Sequence, residues 1–274
     1  MKTAAASLDL VRPRSVEEAL RSMADDPSVV PIAGCTDVFV GLNAGTFAGR
    51  RFLDLWPLEE LREIGIRNGA ISIGALATHA MIQESAAVTS HLPILAAACR
   101  EVGGIQIQNR GTLGGNVANG SPAGDTLPVL AVAEAIVVLR SSREERRVPF
   151  TSFFTGYRTT VRRPDELIVA FELPSVTDVQ WFRKVGTRAA QAISKVVMAI
   201  VGGERPRIAV GSVGPIVIRC AKTEEALARG ATFDEASHIL EMEVQPIDDI
   251  RSTAAYRRRV SGNLLRRFGA DTGR

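Results

Sequence analysis

Two short glycine-bearing stretches, far apart along the chain, limit what it can fold into more than any other feature. One is Ala33-Gly34-Cys35-Thr36-Asp37, directly after a short apolar run. The other, Gly111-Thr112-Leu113-Gly114-Gly115-Asn116, is the densest glycine segment and leads into Ser121-Pro122-Ala123-Gly124-Asp125. Glycine permits close backbone approach and dihedrals that other residues avoid, and consecutive N–H groups laid bare in this way can meet an anion such as a diphosphate. Neither stretch is a familiar nucleotide motif. There is no GxxxxGK followed by Ser or Thr, and no GxGxxG opening a helix with an acid about 20 residues later, so a P-loop and a Rossmann site both lack their parts. Taken singly, each stretch is more often a tight turn than a ligand site.

The chain has 274 residues, enough for two domains of about 100–200 residues each. Hydrophobic residues make up 46% and charged residues 23%, which predicts a chain that folds throughout. No apolar run reaches the roughly 18 residues of a membrane span, and residues 1–10 lack the basic start and cleavage site of a signal peptide; we therefore expect a cytoplasmic protein without membrane contact. Cys35, Cys99 and Cys220 are too few and too scattered for a disulfide framework or a cluster site. Net charge is +3 and aromatics are 5%, so the arginine groups at 143–147, 162–163 and 257–259 suit a solvated face or a protein interface rather than nucleic acid.

Along the chain, Ser15 with Glu18 forms the pattern of a capping box, which predicts a helix to about Met23. Residues 29–32, the tight loop 33–37 and residues 51–55 read as strand, loop and return strand. Residues 70–74 form a strand, Thr78 caps a helix from His79, and Pro93 opens another helix carrying Ile94, Leu95, Ala98 and Val102 on one face. Residues 127–133 are helical, and 135–140 and 166–173 are buried strands. After a linker at 175–180, residues 181–185, 194–201 and 207–213 predict a three-stranded antiparallel sheet. Helices follow at 223–228, 234–242 and 252–268, the last with Tyr256, Val260, Leu264 and Leu265 along one side.

Three ordered stretches carry a resemblance: Ala33–Val38 as quoted; Gln106 through Asn116 with Ala118 through Asp125; and Phe182-Arg183-Lys184-Val185-Gly186-Thr187-Arg188. Together they resemble the flavin subunits of xanthine dehydrogenase and molybdenum-type carbon monoxide dehydrogenase, nearly end to end. The resemblance implies an α+β chain: a two-subdomain FAD-binding domain of the vanillyl-alcohol-oxidase (PCMH) type at 1–176, divided near 57, and a smaller α+β domain at 177–274. It implies that Pro31, Ile32, Ala33, Gly34, Cys35, Thr36, Asp37 and Val38 wrap the FAD diphosphate, and that Thr112, Gly114, Gly115 and Asn116 form the second loop. Ser121 follows in the same stretch, and Asp125 meets the ribose or adenine end. Val102, Ile168 and Lys184 fall where the family packs or hydrogen-bonds the flavin.

Lys184 is one of only four lysines, and an ammonium near a reduced flavin would stabilise its anionic form; a solvent-facing lysine on an edge strand is the plainer alternative. The sequence departs from the family at Cys35, where Gly or Asn is usual, and at Ala192-Ile193-Ser194, where a carboxylate is common. His79, His91 and His238 are not at ligand spacing and read as surface or capping residues. Ser121 lacks the GxSxG elbow of a hydrolase. The function implied is electron transfer from a 2Fe–2S small subunit, itself fed by a molybdopterin-binding large subunit, to NAD+ or another acceptor. A stand-alone flavin oxidase or reductase, and a binding module that has lost its cofactor, are the rival readings.

Overall fold

A computed structural model describes residues 8–47 and 49–273. The chain opens with β1 (Asp9–Val11), α1 (Val16–Asp25), β2 (Val30–Ile32), α2 (Val38–Ala44) and β3 (Arg51–Asp54), whose strands form a parallel sheet in the order β1-β3-β2. Ser15 caps α1, accepting from the Glu18 N–H at 3.2 Å, but the Glu18 carboxylate takes the N–H of Arg14 rather than that of Ser15. The apolar face of α1, with Val16, Ala19, Leu20 and Met23 buried, packs in one cluster with Leu53 and Leu55. The strand after the 33–37 loop does not double back: Val30 pairs with Phe52 in parallel, and α2 makes the crossover. That helix escapes sequence reading because only Leu42 is buried while Phe39 and Val40 stay exposed, and Asp37 makes no side-chain cap.

The second unit is an antiparallel five-stranded sheet in the order β4-β5-β10-β6-β7. It comprises β4 (Ile64–Arg67), β5 (Ala70–Gly74), β6 (Ile136–Arg140), β7 (Glu145–Pro149) and β10 (Leu167–Leu173), while β8 (Phe154–Gly156) and β9 (Thr159–Thr160) form a separate hairpin. The β4–β5 turn is Asn68-Gly69, both with positive φ (52° and 77°), the pairing that a tight hairpin demands. Helices α3 (His79–Glu84), α4 (Ala86–His91), α5 (Pro93–Arg100), α6 (Ile105–Gln108), α7 (Leu113–Asn119) and α8 (Leu127–Val132) connect β5 to β6. The arginines of β7 serve the sheet itself. Arg146 grips the fully buried Glu166 with two bonds (2.6 and 2.8 Å), and the Arg163 N–H adds a third at 2.7 Å.

The last unit has four antiparallel strands where three are expected: β11 (Gln180–Val185), β12 (Val196–Val201), β13 (Arg207–Gly211) and a two-residue edge strand, β14 (Ile218–Arg219). Helices α9 (Ala221–Ala228), α10 (Phe233–Glu243) and α11 (Ala254–Thr272) complete it. Every residue of β12 is buried because its alternate side chains serve two cores. Val197, Ala199 and Val201 join the core of the second unit, whereas Val196, Met198 and Ile200 join Leu240, Leu265 and Phe268 of α10 and α11. The inward side of α11 is Arg257, Ser261, Leu265 and Phe268; Tyr256, expected on that side, is 42% exposed. The linker is pinned, with Val176 buried and the Gln180 amide donating to the carbonyls of His91 and Val176. No described helix is long and apolar enough to cross a membrane.

Candidate FAD site

The 33–37 loop leaves the end of β2 and turns sharply at Cys35, whose φ of 62° lies in the left-handed region. Glycine and asparagine occupy that region most easily, which gives a physical reason for the family's usual choice here. The Cys35 thiol bonds to the Ala33 carbonyl at 3.4 Å. Burial, reinforced by the nearby Asp54 carboxylate and opposed by Arg110, raises its pKa, so it stays a packed, protonated thiol. Among the described residues, the N–H groups of Gly34, Cys35, Thr36 and Asp37 have no acceptor within the chain. Four successive donors are therefore left for a ligand or water.

The second stretch lies against the first. A Cβ on Gly34 would stand 1.7 Å from the carbonyl oxygen of Arg110 and 3.1 Å from the nitrogen of Gly111, so the two backbones are in direct contact and only glycine fits. The amides of the second stretch are mostly committed, however. Leu113 donates to Ala77 (3.0 Å), Gly114 to Ala75 (2.9 Å) and Asn116 to the Thr112 carbonyl (2.9 Å), while Gly115 donates to the Thr112 hydroxyl (3.0 Å). Thr112 is the N-cap of α7, and Gly114 is glycine because a Cβ would reach 2.6 Å from the Ala75 oxygen. The Asn116 side chain accepts from the Thr126 hydroxyl at 2.6 Å, which ties this stretch to the 121–126 loop.

That loop carries the charged part of the site. Lys184 of β11 reaches Asp125 at 2.7 Å and the Glu101 carbonyl at 2.8 Å, with both charged side chains under 10% exposed. Lys184 is thus buried, although β11 is an edge strand. Asp125 and Lys184, far apart in sequence, thus lie side by side. The other carboxylate oxygen of Asp125 is buried without a partner, and burial, offset partly by Lys184, pushes the group up to about 7. Val102, half-buried, follows the Glu101 carbonyl, and its own carbonyl accepts from Gln108 at 3.1 Å. The loop is anchored from the last unit: Ser194 donates to the Ala123 carbonyl (3.1 Å) and the Ser212 N–H to that of Pro122 (2.8 Å). Ser121, half-buried, accepts from the Ala123 N–H at 3.4 Å, and Ile168 is a core residue, 8% exposed, beside a bulge in β10.

Arg110, Trp56 and Arg62 carry no role in the sequence reading, yet they adjoin this site. The guanidinium carbons of Arg62 and Arg110 lie 4.1 and 3.6 Å from the centre of the Trp56 ring. His79 is buried in the first turn of α3 rather than at the surface, with one ring nitrogen unpartnered and a pKa pulled down by burial to about 4. Two open surface clefts, of about 620 and 670 Å³, are lined by other residues, among them Glu59 and Glu84 in one and Asp178 and Arg205 in the other. Among the described residues, no group of three or more His, Cys, Asp or Glu side chains could hold a metal ion.

Residues 6–176 match the family described as the FAD binding domain in molybdopterin dehydrogenase. The chain belongs to that family. Residues 181–272 match the CO dehydrogenase flavoprotein C-terminal domain. The xanthine dehydrogenase FAD-binding subunit of Escherichia coli O157:H7 is 29% identical over 262 residues, covering 90% of this chain and 89% of that one. The glyceraldehyde dehydrogenase medium chain of Sulfolobus acidocaldarius is 30% identical over 261 residues, with 91% and 92% covered. Among solved structures, the carbon monoxide dehydrogenase of Hydrogenophaga pseudoflava superposes with a TM-score of 0.89 at 26% identity, covering 95% of each chain. FAD is the cofactor of the family, and the chain is a subunit of an oxidoreductase. The acceptor-free amides at 34–37 and the orphaned Asp125 oxygen fit a ligand that carries both a diphosphate and hydrogen-bond donors, as FAD does.

Proposed function

We propose that this chain is the flavin subunit of a molybdenum hydroxylase, taking electrons from a 2Fe–2S small subunit that a molybdopterin-binding large subunit supplies, and passing them to NAD+ or another acceptor. The observation that carries this reading is the cradle of four unbonded amides at Gly34, Cys35, Thr36 and Asp37, held against Arg110 and Gly111. It is supported by the family and by relatives named as FAD-binding subunits and medium chains of dehydrogenases.

Bound FAD supplies the redox chemistry, because it can exchange electrons one or two at a time. The chain's residues hold and shield it. Amides 34–37, with Pro31, Ile32, Ala33 and Val38 shaping the turn, meet the diphosphate. Thr112, Gly114, Gly115 and Asn116 keep α7 tight against the 75–77 segment that follows β5, so their part is to fix the floor of the site rather than to donate many amides. Asp125 accepts a ligand hydrogen bond at its free oxygen while Lys184 balances its charge, and Ser121 shapes the loop that presents it. Val102 and Ile168 exclude water beside them. We divide the chain at 176/177, with a subdivision near 57, and place its action in the cytoplasm.

The test is purification of the chain alone and with its two neighbours in the complex. Alone it should be yellow and unable to oxidise the complex's substrate; with them it should co-purify as an assembly containing molybdenum and iron. Substrate oxidation by the isolated chain would contradict the proposal.

A further inference from the structure

Two features of Arg110 are unexplained by its place beside Gly34. Its guanidinium lies 3.6 Å from the Trp56 ring centre, and among the described residues it has neither a carboxylate nor a carbonyl partner. Arg62 sits 4.1 Å from the same centre, and two guanidinium groups so close to one ring cannot share a face, so the indole is sandwiched. The two arginines differ in their other bonds. Arg62 is committed: it donates to the carbonyls of Leu76 and Trp56 and pairs with Glu59. Arg110 is exposed and, among the described residues, its guanidinium donates to no other group, while its backbone carbonyl touches Gly34 at the mouth of the amide cradle.

Charge balance favours it. A flavin dinucleotide's diphosphate carries two negative charges, and the 34–37 amides offer partial charge only. Lys184 is already paired with Asp125, and Arg12 with Asp54. A planar guanidinium held on an aromatic face is pre-organised for phosphate oxygens and loses little freedom on binding them.

We propose that Arg110, seated on the Trp56 indole, is a diphosphate-binding residue that supplies the counter-charge which the 34–37 amides lack. Trp56 is its positioning residue, and Arg62 braces the opposite face of the ring. This rests on the FAD-binding reading above.

The experiment is titration of the flavin-free full chain with FAD at low and high salt, followed by fluorescence, with melting of the unloaded chain as a control. Arg110→Gln should weaken FAD binding about tenfold or more, the size expected for one hydrogen-bonded charge, and should flatten the salt dependence seen in the wild type. Arg110→Lys should recover part of the affinity. Trp56→Leu, which leaves the arginine but removes its seat, should weaken binding by a smaller factor that Trp56→Phe restores. The melting temperature of Arg110→Gln should stay near the wild-type value; if that variant fails to fold, Arg110→Lys and the wild-type salt dependence carry the test. Arg110→Gln binding FAD as tightly as the wild type, or a wild-type affinity indifferent to salt, overturns the proposal and leaves the FAD reading intact. A wild-type chain that takes up no FAD at all overturns both.

Discussion

Replacing Gly34 by alanine adds one methyl group at the tightest backbone approach in the candidate site. The new Cβ would stand 1.7 Å from the Arg110 carbonyl oxygen and 2.5 Å from its carbon, where ordinary contact begins at 3.4 Å. One segment must therefore retreat by about 1.7 Å, and because both are backbone, no side-chain rotation relieves the overlap. Gly34 does not have positive φ, so the cost is steric rather than conformational. Overpacking of this kind costs about 1–3 kcal/mol, and we place this case at the upper end, about 3 kcal/mol. At roughly 2–4 °C per kcal/mol for a chain somewhat smaller than this one, the melting temperature should fall by about 6–12 °C. The retreat also parts the amide cradle from residues 110–111, so FAD affinity should drop about 100-fold, the equivalent of about 3 kcal/mol. Gly65→Ala is the internal control, since a Cβ there meets nothing within 4 Å. Melting of the flavin-free chain and FAD titration of both variants provide the assay. A Gly34→Ala chain that melts and binds FAD as Gly65→Ala does would refute the reasoning.

Two further outcomes follow from the same geometry. At Cys35, φ of 62° disfavours side chains branched at Cβ, so Cys35→Val should lose about 1–2 kcal/mol; Cys35→Gly should match or exceed the wild type in FAD affinity, both read by melting and titration. Asp125 sets the sign of a pH effect in the flavin-free chain: its carboxyl lies near 7 when folded against an ordinary 3.8, so the folded state keeps a proton that the unfolded state has released. Stability should therefore fall as pH rises from about 3.8 to about 7 and level off above, and Asp125→Asn should remove that slope in denaturant titrations; an unchanged slope would contradict the assignment.

Local signals made much of the fold legible. Ser15, Thr78 and Pro93 mark the starts of α1, α3 and α5, and the apolar runs at 136–140, 167–173 and 196–201 are strands. The misses have physical causes. Asn68-Gly69 was a readable hairpin signal that betrays β4, whereas α2 shows no amphipathic face, and β14 is a two-residue edge strand with no pattern to read. In the candidate site, the motifs name the glycines but do not say which amides are free: the first stretch keeps its donors, and the second gives most of them to Ala75, Ala77 and Thr112. The pairing of Asp125 with Lys184, and the stacking of Arg110 on Trp56, join residues far apart in sequence. Nothing local in the sequence announces such contacts.

The central claim is that one FAD lies on the cradle formed by residues 34–37 and 110–111. The most direct measurement is the flavin content of the purified full chain after incubation with excess FAD and removal of the unbound fraction. The account predicts one FAD per chain, and a chain that retains none would contradict it.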